Sequence, residues 1–468
     1  LFLIIFLHNR ILKNEGIMYR LAFGILLIIH LSGEELSAGI ALNNHHEQDR
    51  EELLTVLPEK GPYLSCVTQN SIIISWHTAA LDSSLIQYGL TADCEYELKD
   101  ITLKTAHSLK LSSLLPDTTY YYRILFGDLI TQTYTFRTAA SFGKGFKFTV
   151  IGDTRTQADS HLAVINRLIE QNPYFSLHSG DLVEDGFDEA QWTTYFAIIC
   201  SSATCAPKIP FYYAIGNHEN ESPLYYNYFY LPHNNPDSVE SFYSFDYGNS
   251  HFISIDTEIP YGPSSNQYRW LRNDLLSAYD KTYIFVFIHN HPYCAGGHNS
   301  DLDLRDALSP VFESFKVDMV LSGHSHFYQR NGPINGVTYI ITAGGGAPLH
   351  TPAESSWTVY TEKSHHLVQF IIYPDSARFQ MIRTDGSTGD DFVYFSRERS
   401  KLFFGDANGD TSISVSDVVY IINYLFKSGS APAGGVLIGD VDCDGDVLIS
   451  DIIYLINYLF KSGPSPGC

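Results

Sequence analysis

Five short apolar runs in this chain each end on a cluster of aspartate, asparagine or histidine, and that recurrence limits the possible folds more than any other feature. Phe146-Lys-Phe-Thr-Val-Ile151 runs into Gly152-Asp153-Thr154-Arg155, and Tyr174-Phe-Ser-Leu177 into His178-Ser-Gly-Asp181-Leu-Val-Glu184. Phe211-Tyr-Tyr-Ala-Ile215 runs into Gly216-Asn217-His218-Glu219, Tyr283-Ile-Phe-Val-Phe-Ile288 into His289-Asn-His291-Pro, and Asp318-Met-Val-Leu321 into Ser-Gly323-His324-Ser-His326. Short, β-prone apolar runs read as buried strands, and open α/β sheets place their ligand-binding groups where such strands end. Between the first two runs, Leu162, Ile165, Leu168 and Ile169 repeat at helical spacing until Pro173. Gln267–Ser277 and Asp303–Phe315 read as further helices, so the rhythm predicts an α/β sandwich with polar clusters at the strand ends.

Carboxylate oxygens and imidazole nitrogens together suit zinc, iron and manganese. One carboxylate can bridge two cations, and metals ~3.5–4 Å apart clamp the attacking and leaving oxygens of a phosphoryl displacement. The ordered set resembles the calcineurin-like metallophosphoesterases and, within them, the purple acid phosphatases, over roughly residues 60 to 398. The resemblance implies an α/β four-layer sandwich over residues 145–398. It implies one metal on Asp153, Asp181 and His326 and a second on Asp181, Asn217, His289 and His324, the ions being iron, zinc or manganese. It further implies hydrolysis of phosphomonoesters by a metal-bound hydroxide, with His218 reaching the substrate phosphate or leaving group.

Two positions depart from the family pattern. Where many members have a histidine ligand two residues after the first aspartate, this chain has Arg155. Where purple acid phosphatases have an iron-binding tyrosine, it has Glu184. An always-protonated guanidinium cannot ligate a cation, so the first metal is left water-rich, weakly held or completed by Glu184. Arg155 then reads either as a grip on a phosphate oxygen, which its planar fork suits, or as a surface ion pair. His291 is close enough to assist leaving-group protonation, and His298 and His350 are further pocket candidates. A phosphodiesterase or nucleotidase of the same chemistry remains open, as does a catalytically inactive scaffold.

At 468 residues with a net charge of −23, the chain calls for several domains and argues against nucleic-acid or anionic-membrane partners. Met18-Tyr-Arg20, the apolar Leu21–Leu31 and Ser37-Ala38-Gly39 have the layout of a secretory signal within residues 1–41, with residues 1–17 upstream of its start, and imply a secreted, extracellular protein without a membrane span in the mature chain. The alternative, an anchor over residues 1–31, is interrupted by Asn9, Arg10, Lys13, Asn14 and Glu15. Seven cysteines fit an oxidising compartment, and their spacing suggests Cys66–Cys94, Cys200–Cys205 and Cys443–Cys468, leaving Cys294 as an inert thiol or a metal ligand. Residues 59–138 carry regularly spaced β-like runs, Ser71–Trp76, Leu85–Tyr88, Ser108–Leu111 and Tyr120–Leu125. Leu114-x-Pro116-x-Thr118-x-Tyr120-x-Tyr122 resembles the tyrosine corner of fibronectin type III sandwiches, with Trp76 in the core. This all-β sandwich reads either as a carbohydrate-binding module or as a structural partner of the catalytic domain.

After Ser400 a segment repeats. Val418-Val-Tyr-Ile-Ile-Asn-Tyr-Leu-Phe-Lys-Ser-Gly429 returns 34 residues later as Ile452–Gly463, each copy behind an acidic loop. Asp406, Asn408, Asp410, Ser412 and Asp417, and then Asp440, Asp442, Asp444, Asp446 and Asp451, match positions 1, 3, 5, 7 and 12 of a calcium loop. Gly445 fills the sixth position of the second loop, whereas Thr411 stands there in the first. The pair resembles a dockerin over residues 402–468. That resemblance implies a small α-helical, calcium-dependent domain, a cohesin-bearing scaffold as partner and a setting in polysaccharide catabolism; the alternative is a calcium-stabilised tail without a partner.

Overall fold

The structure, a computed structural model, describes residues 58–127, 129–200, 205–396, 404–433 and 435–467. The expected signal region and nearly all of the polar stretch after it lie outside the described residues. No described helix is long and apolar enough to cross a membrane.

The front domain is one antiparallel network of β1 (Lys60–Ser65), β2 (Ile72–Gly89), β3 (Tyr96–Leu111), β4 (Thr119–Phe126), β5 (Leu129–Ile130) and β6 (Tyr134–Arg137). The runs read as separate strands at Ser71–Trp76 and Leu85–Tyr88 are the two ends of β2. Its first half pairs with β1 and its second with β4, and the register shifts between His77 and Ser84. The polar middle that interrupts the sequence pattern does not end the strand, because β3 keeps its backbone paired on both sides of the shift. Trp76 is buried and stacks on His107 at 4.9 Å. The hydroxyl of Tyr120 accepts from Leu115 N at 2.9 Å, the backward bond of a tyrosine corner.

This domain shares a core with the next one. Tyr63 packs 5.1 Å from Phe196, Tyr122 Oη donates to Pro207 O at 2.7 Å, and the buried Lys60 pairs with Glu189 at 2.7 Å. Such packing is what the structural-partner reading expects.

The second domain runs through β7 (Phe146–Ile151), α1 (Ala158–Gln171), β8 (Phe175–His178), α2 (Glu189–Cys200), β9 (Phe211–Tyr213), α3 (Pro223–Tyr228), β10 (Tyr243–Tyr247), β11 (Ser250–Ser254), α4 (Asn266–Ser277), β12 (Tyr283–Phe287), α5 (Leu302–Ser314) and β13 (Met319–Ser322). It ends with β14 (Tyr328–Ile334), β15 (Val337–Thr342), β16 (Thr358–Glu362), β17 (His366–Ile372), β18 (Ser376–Arg383) and β19 (Thr388–Phe395). One sheet has the order β19-β18-β17-β7-β8-β9 and the other β10-β11-β12-β13-β15-β14-β16. The sheets meet through aromatic rings, with Phe148 4.6 Å from Phe370, 5.1 Å from Phe252 and 5.4 Å from Phe285. Period-two alternation on β12 supplies both faces. Phe285 and Phe287 point into this middle layer, while Ile284 and Val286 pack with Leu271, Leu275, Leu308 and Phe312 of α4 and α5. Helix α1 stops where Asn172 turns left-handed just before Pro173, and α4 and α5 start on the side-chain caps of Ser265 and Asp301.

The C-terminal repeats form α6 (Val415–Lys427), α7 (Val436–Gly439) and α8 (Ile449–Lys461), with Val418, Ile421, Ile452 and Leu455 at the core between them.

The cysteines correct the spacing-based pairing. Cys66, Cys94, Cys200 and Cys205 are free thiols, as is Cys294. Cys66 Sγ points at Tyr230 O at 3.6 Å, Cys94 Sγ at Ala92 O at 3.7 Å and Cys200 Sγ at Pro62 O at 3.7 Å, so proximity in sequence did not aim the thiols at one another. Cys443 is disulfide-bonded; Cys468, its expected partner, lies outside the described residues.

An ion triad around the buried His251 ties β10, β11 and α4 together. His251 places Nδ1 2.7 Å from Asp246 and Nε2 2.7 Å from Asp274. Burial opposes the charge, but the two carboxylates outweigh it and hold this imidazole up at about 9. A raised folded-state pKa gives stability that is complete below the unfolded histidine value and lost as pH climbs through about 9. The expected loss between pH 6.5 and 10 is about 3 kcal/mol. His251→Gln should flatten that stretch of the melting-temperature profile, and an unchanged slope would remove the triad from the account.

Candidate metal centre

The five strand ends converge. Asp153 follows β7, Asp181 follows β8, Asn217 follows β9, His289 follows β12, and His324 and His326 follow β13. Three of these residues take left-handed backbone, with φ of 56° at Asp153, 56° at Asp181 and 68° at His324. Each such residue costs on the order of 1–3 kcal/mol, and such strain gathers at functional sites. Two glycines permit the crowding. A Cβ on Gly216 would lie 2.4 Å from Asp181 Oδ1, and one on Gly323 would lie 2.6 Å from Asp153 Oδ2. Asp153, Asp181, His289 and His326 are buried, whereas Asn217 is exposed and His324 half-buried at the opening.

The protons on the histidines fix what the centre can bind. His289 Nδ1 lies 2.9 Å from the carbonyl of Ser179, an acceptor, so Nδ1 carries the hydrogen. His289 Nε2 then faces Asn217 Oδ1 at 3.0 Å, Asp181 Oδ1 at 3.2 Å and His324 Nδ1 at 3.3 Å. Burial opposes a charge on this ring, but Asp181 and Asp153 outweigh it and raise its pKa, so a cation would take the place of a proton on Nε2. His324 Nδ1 is itself 3.1 Å from Asn217 Oδ1. His326 repeats the arrangement: Nδ1 donates to Pro348 O at 2.8 Å, and Nε2 faces Asp153 Oδ1 at 3.4 Å. Imidazoles oriented by a carbonyl on the far nitrogen are the usual form of metal-ligating histidines. Asp153, Asp181 and His289 each bring a ligand atom within 4.8 Å of the others. Burial pushes the Asp153 carboxyl well above its usual range; His289 pulls it back and the Asp181 charge adds to the rise. A buried meeting of imidazole nitrogens and carboxylates is stabilised by a cation, and the donor set fits one.

Arg155 and Glu184, read as substitutes for missing ligands, meet each other. Arg155 Nη1 is ion-paired with Glu184, Nε donates to Asp181 Oδ2 at 3.2 Å, and Nη2 donates to His326 Nε2 at 3.3 Å. The guanidinium therefore touches two of the three residues expected around the first metal. His218 Nδ1 donates to Glu184 O at 2.6 Å, which turns Nε2 to within 3.8 Å of Asp181 Oδ2. His291 is buried beneath the opening, its Nε2 2.9 Å from Ser325 Oγ, and burial pushes its pKa down to about 3. His298 is exposed and stacks on His324 at 4.1 Å, and His350 stacks on His326 at 4.0 Å.

Glu219 carries a role the sequence did not reveal. It is fully buried, and its carboxylate accepts from the backbone N–H of Asp181 (2.9 Å), Gly216 (2.8 Å), Leu182 (2.7 Å) and Val183 (3.3 Å). One side chain thus fixes both the Asp181 and the Asn217 loops; an acid directly after Asn-His was the available signal.

The two acidic loops behind share one wiring. Asp406 accepts from the N–H of Asp410 and Thr411 at 2.9 and 2.8 Å, and Asp440 from those of Asp444 and Gly445 at 3.2 and 3.1 Å. Asp417 and Asp451 accept from the third loop residues, Asn408 and Asp442. The carboxylates of Asp440, Asp442 and Asp444 lie within 4.8 Å of one another, a hard-oxygen set that suits calcium.

Because Glu219 holds two ligand loops, Glu219→Gln should leave the fold intact and weaken transition-metal affinity about 10–100-fold. Metal titration of the purified variant measures this, and wild-type affinity would contradict it.

Comparison with known proteins agrees with this geometry. Residues 146–328 match the calcineurin-like phosphoesterase model, residues 60–138 the purple acid phosphatase N-terminal domain and residues 404–460 the dockerin type I domain. An uncharacterized protein of Mycobacterium tuberculosis is 27% identical over 354 residues, covering 64% of this chain and 66% of its own length. This chain therefore spans just under two thirds of that relative. The Fe(3+)-Zn(2+) purple acid phosphatase 12 of Arabidopsis thaliana is 24% identical over 395 residues, covering 77% of this chain and 83% of that one. The solved purple acid phosphatase from yellow lupin (Lupinus luteus) seeds superposes with a TM-score of 0.62 at 18% identity, covering 71% and 74% of the two chains. Residues 146–328 are a calcineurin-like phosphoesterase domain, preceded by a purple acid phosphatase N-terminal domain over residues 60–138 and followed by a dockerin domain over residues 404–460.

Proposed function

We propose that the protein is an extracellular binuclear metallophosphatase that hydrolyses phosphate monoesters. The observation that carries this reading is the meeting of His289 Nε2 with Asp181 Oδ1 and Asn217 Oδ1 while Nδ1 is committed to Ser179 O. Asp153, Asp181 and His326 would hold one metal and Asp181, Asn217, His289 and His324 the other. When bound, the two cations supply Lewis acidity and an activated water. The chain's own residues do the rest. Arg155 binds a phosphate oxygen through its fork, with Glu184 holding the guanidinium. His218, turned by the Glu184 carbonyl, presents Nε2 to the ester and, when protonated, hands a proton to the leaving oxygen. His291 acts through Ser325, whose hydroxyl also accepts from His298 N at 3.0 Å, and so positions His298 at the opening. A cavity of about 370 Å³ beside Arg155 is lined by His161, Leu182, Tyr195 and Ile198 among others.

In the C-terminal domain the acidic loops would bind calcium, and a cohesin-type partner would cover the outer helix faces. Phe426 and Phe460, equivalent in the two repeats, are 61% and 68% exposed, and Val419 and Ile453 are exposed as well. The dockerin and the disulfide at Cys443 support an extracellular setting.

A second reading, an inactive scaffold, is favoured by the donation from Arg155 to both Asp181 and His326. Phosphate release from an aryl monoester by the full chain with manganese, zinc or iron separates the two. Turnover should fall at least about a hundred-fold in Asp181→Asn; no turnover with any metal would favour the scaffold. Arg155→Ala should lower kcat/KM about 10–100-fold and weaken inhibition by phosphate; unchanged inhibition would discard the phosphate grip. With Glu184 where the family has tyrosine, the iron-loaded protein should lack a purple absorption band, and a strong band would show that another tyrosine ligates.

A further inference from the structure

The dockerin is seated on the catalytic domain through one of its own acidic loops. Arg272, on α4, donates from Nη1 to Asp440 Oδ2 at 2.7 Å and from Nη2 to the Asp440 carbonyl at 3.4 Å, and both side chains are fully buried. The guanidinium lies 4.9 Å from the ring of Phe404, which joins the apolar cluster of α4 and α5. The loop's glycine is part of the contact: a Cβ on Gly445 would lie 2.6 Å from Pro263.

Charge explains why the second loop is the one used. It carries Asp440, Asp442, Asp444, Asp446 and Asp451, whereas the first has Asp406, Asp410 and Asp417, with Asn408 and Ser412 at the remaining positions. A divalent cation neutralises most of the first loop but leaves the second strongly negative, and a buried guanidinium offsets part of that remainder. Among the described residues no arginine or lysine pairs with Asp406, whose oxygens accept from backbone N–H groups.

We propose that the second acidic loop is both a calcium site and the docking surface for the chain's own catalytic domain. Calcium orders the loop that presents Asp440 to Arg272, so binding at that loop and seating of the dockerin are one linked event, while the first loop binds calcium independently. Linkage makes the coupling reciprocal: a seated dockerin holds the second calcium more tightly. The dockerin then has a fixed orientation on the enzyme.

All four tryptophans, Trp76, Trp192, Trp270 and Trp357, lie outside the dockerin, so tryptophan fluorescence reports melting of the body alone. The test uses the full chain, stripped with a chelator, replenished with its catalytic metal and melted with and without calcium. Calcium should raise the melting temperature of the body by about 5 °C in the wild type and in Asp406→Asn, and by about 1 °C or less in Arg272→Met and Asp440→Asn. Arg272→Lys, which keeps the charge without the fork, should fall between and covers the case in which the methionine variant does not fold. No calcium shift in the wild type, an undiminished shift in Arg272→Met, or equal loss in Asp406→Asn and Asp440→Asn would overturn the proposal.

Discussion

Everything at the centre of this molecule depends on histidines whose far nitrogens are tied to carbonyls. Ser179 O holds His289 and Pro348 O holds His326, so each ring turns Nε2 toward buried carboxylates. Without a cation, the Asp181 and Asp153 carboxylates outweigh burial and raise the His289 pKa, so a proton stands between ring and carboxylate where the metal would sit. With a cation, the meeting becomes a preformed site held by the two sheets. The left-handed turns at Asp153, Asp181 and His324 and the four backbone bonds to Glu219 all serve to keep these groups together.

The surrounding architecture supplies the rigidity. The aromatic layer around Phe148 fixes the sheets against each other, so the ends of β7, β8, β9, β12 and β13 come to one edge. The front β-domain packs on α2 and the segment after it through Tyr63, Lys60 and Tyr122. It shares a core with the α/β domain rather than standing as an independent module.

Much of this was legible in the sequence, for identifiable reasons. An apolar run that stops on Gly-Asp or Gly-His announces a buried strand and a polar end, so the fold class and the gathering of Asp153, Asp181, Asn217, His289, His324 and His326 could be read directly. The 34-residue repeat announced its paired loops in the same way. Contacts decided by loop paths were not legible. Arg155 and Glu184 were seen as two separate substitutions, yet they form one ion pair. Nothing in the sequence singled out the buried contacts of Glu219 and Arg272. The cysteine pairing failed because spacing says nothing about where a thiol points.

The most direct test of the central claim is the metal content of the purified full chain, measured by elemental analysis beside a variant in which His289 and Asn217 are both replaced by alanine. The account predicts two transition-metal ions per wild-type chain, the second held more tightly than the one beside Arg155, and loss of the tighter ion in the variant. A wild-type chain that retains no transition metal after loading with zinc, iron or manganese would contradict it.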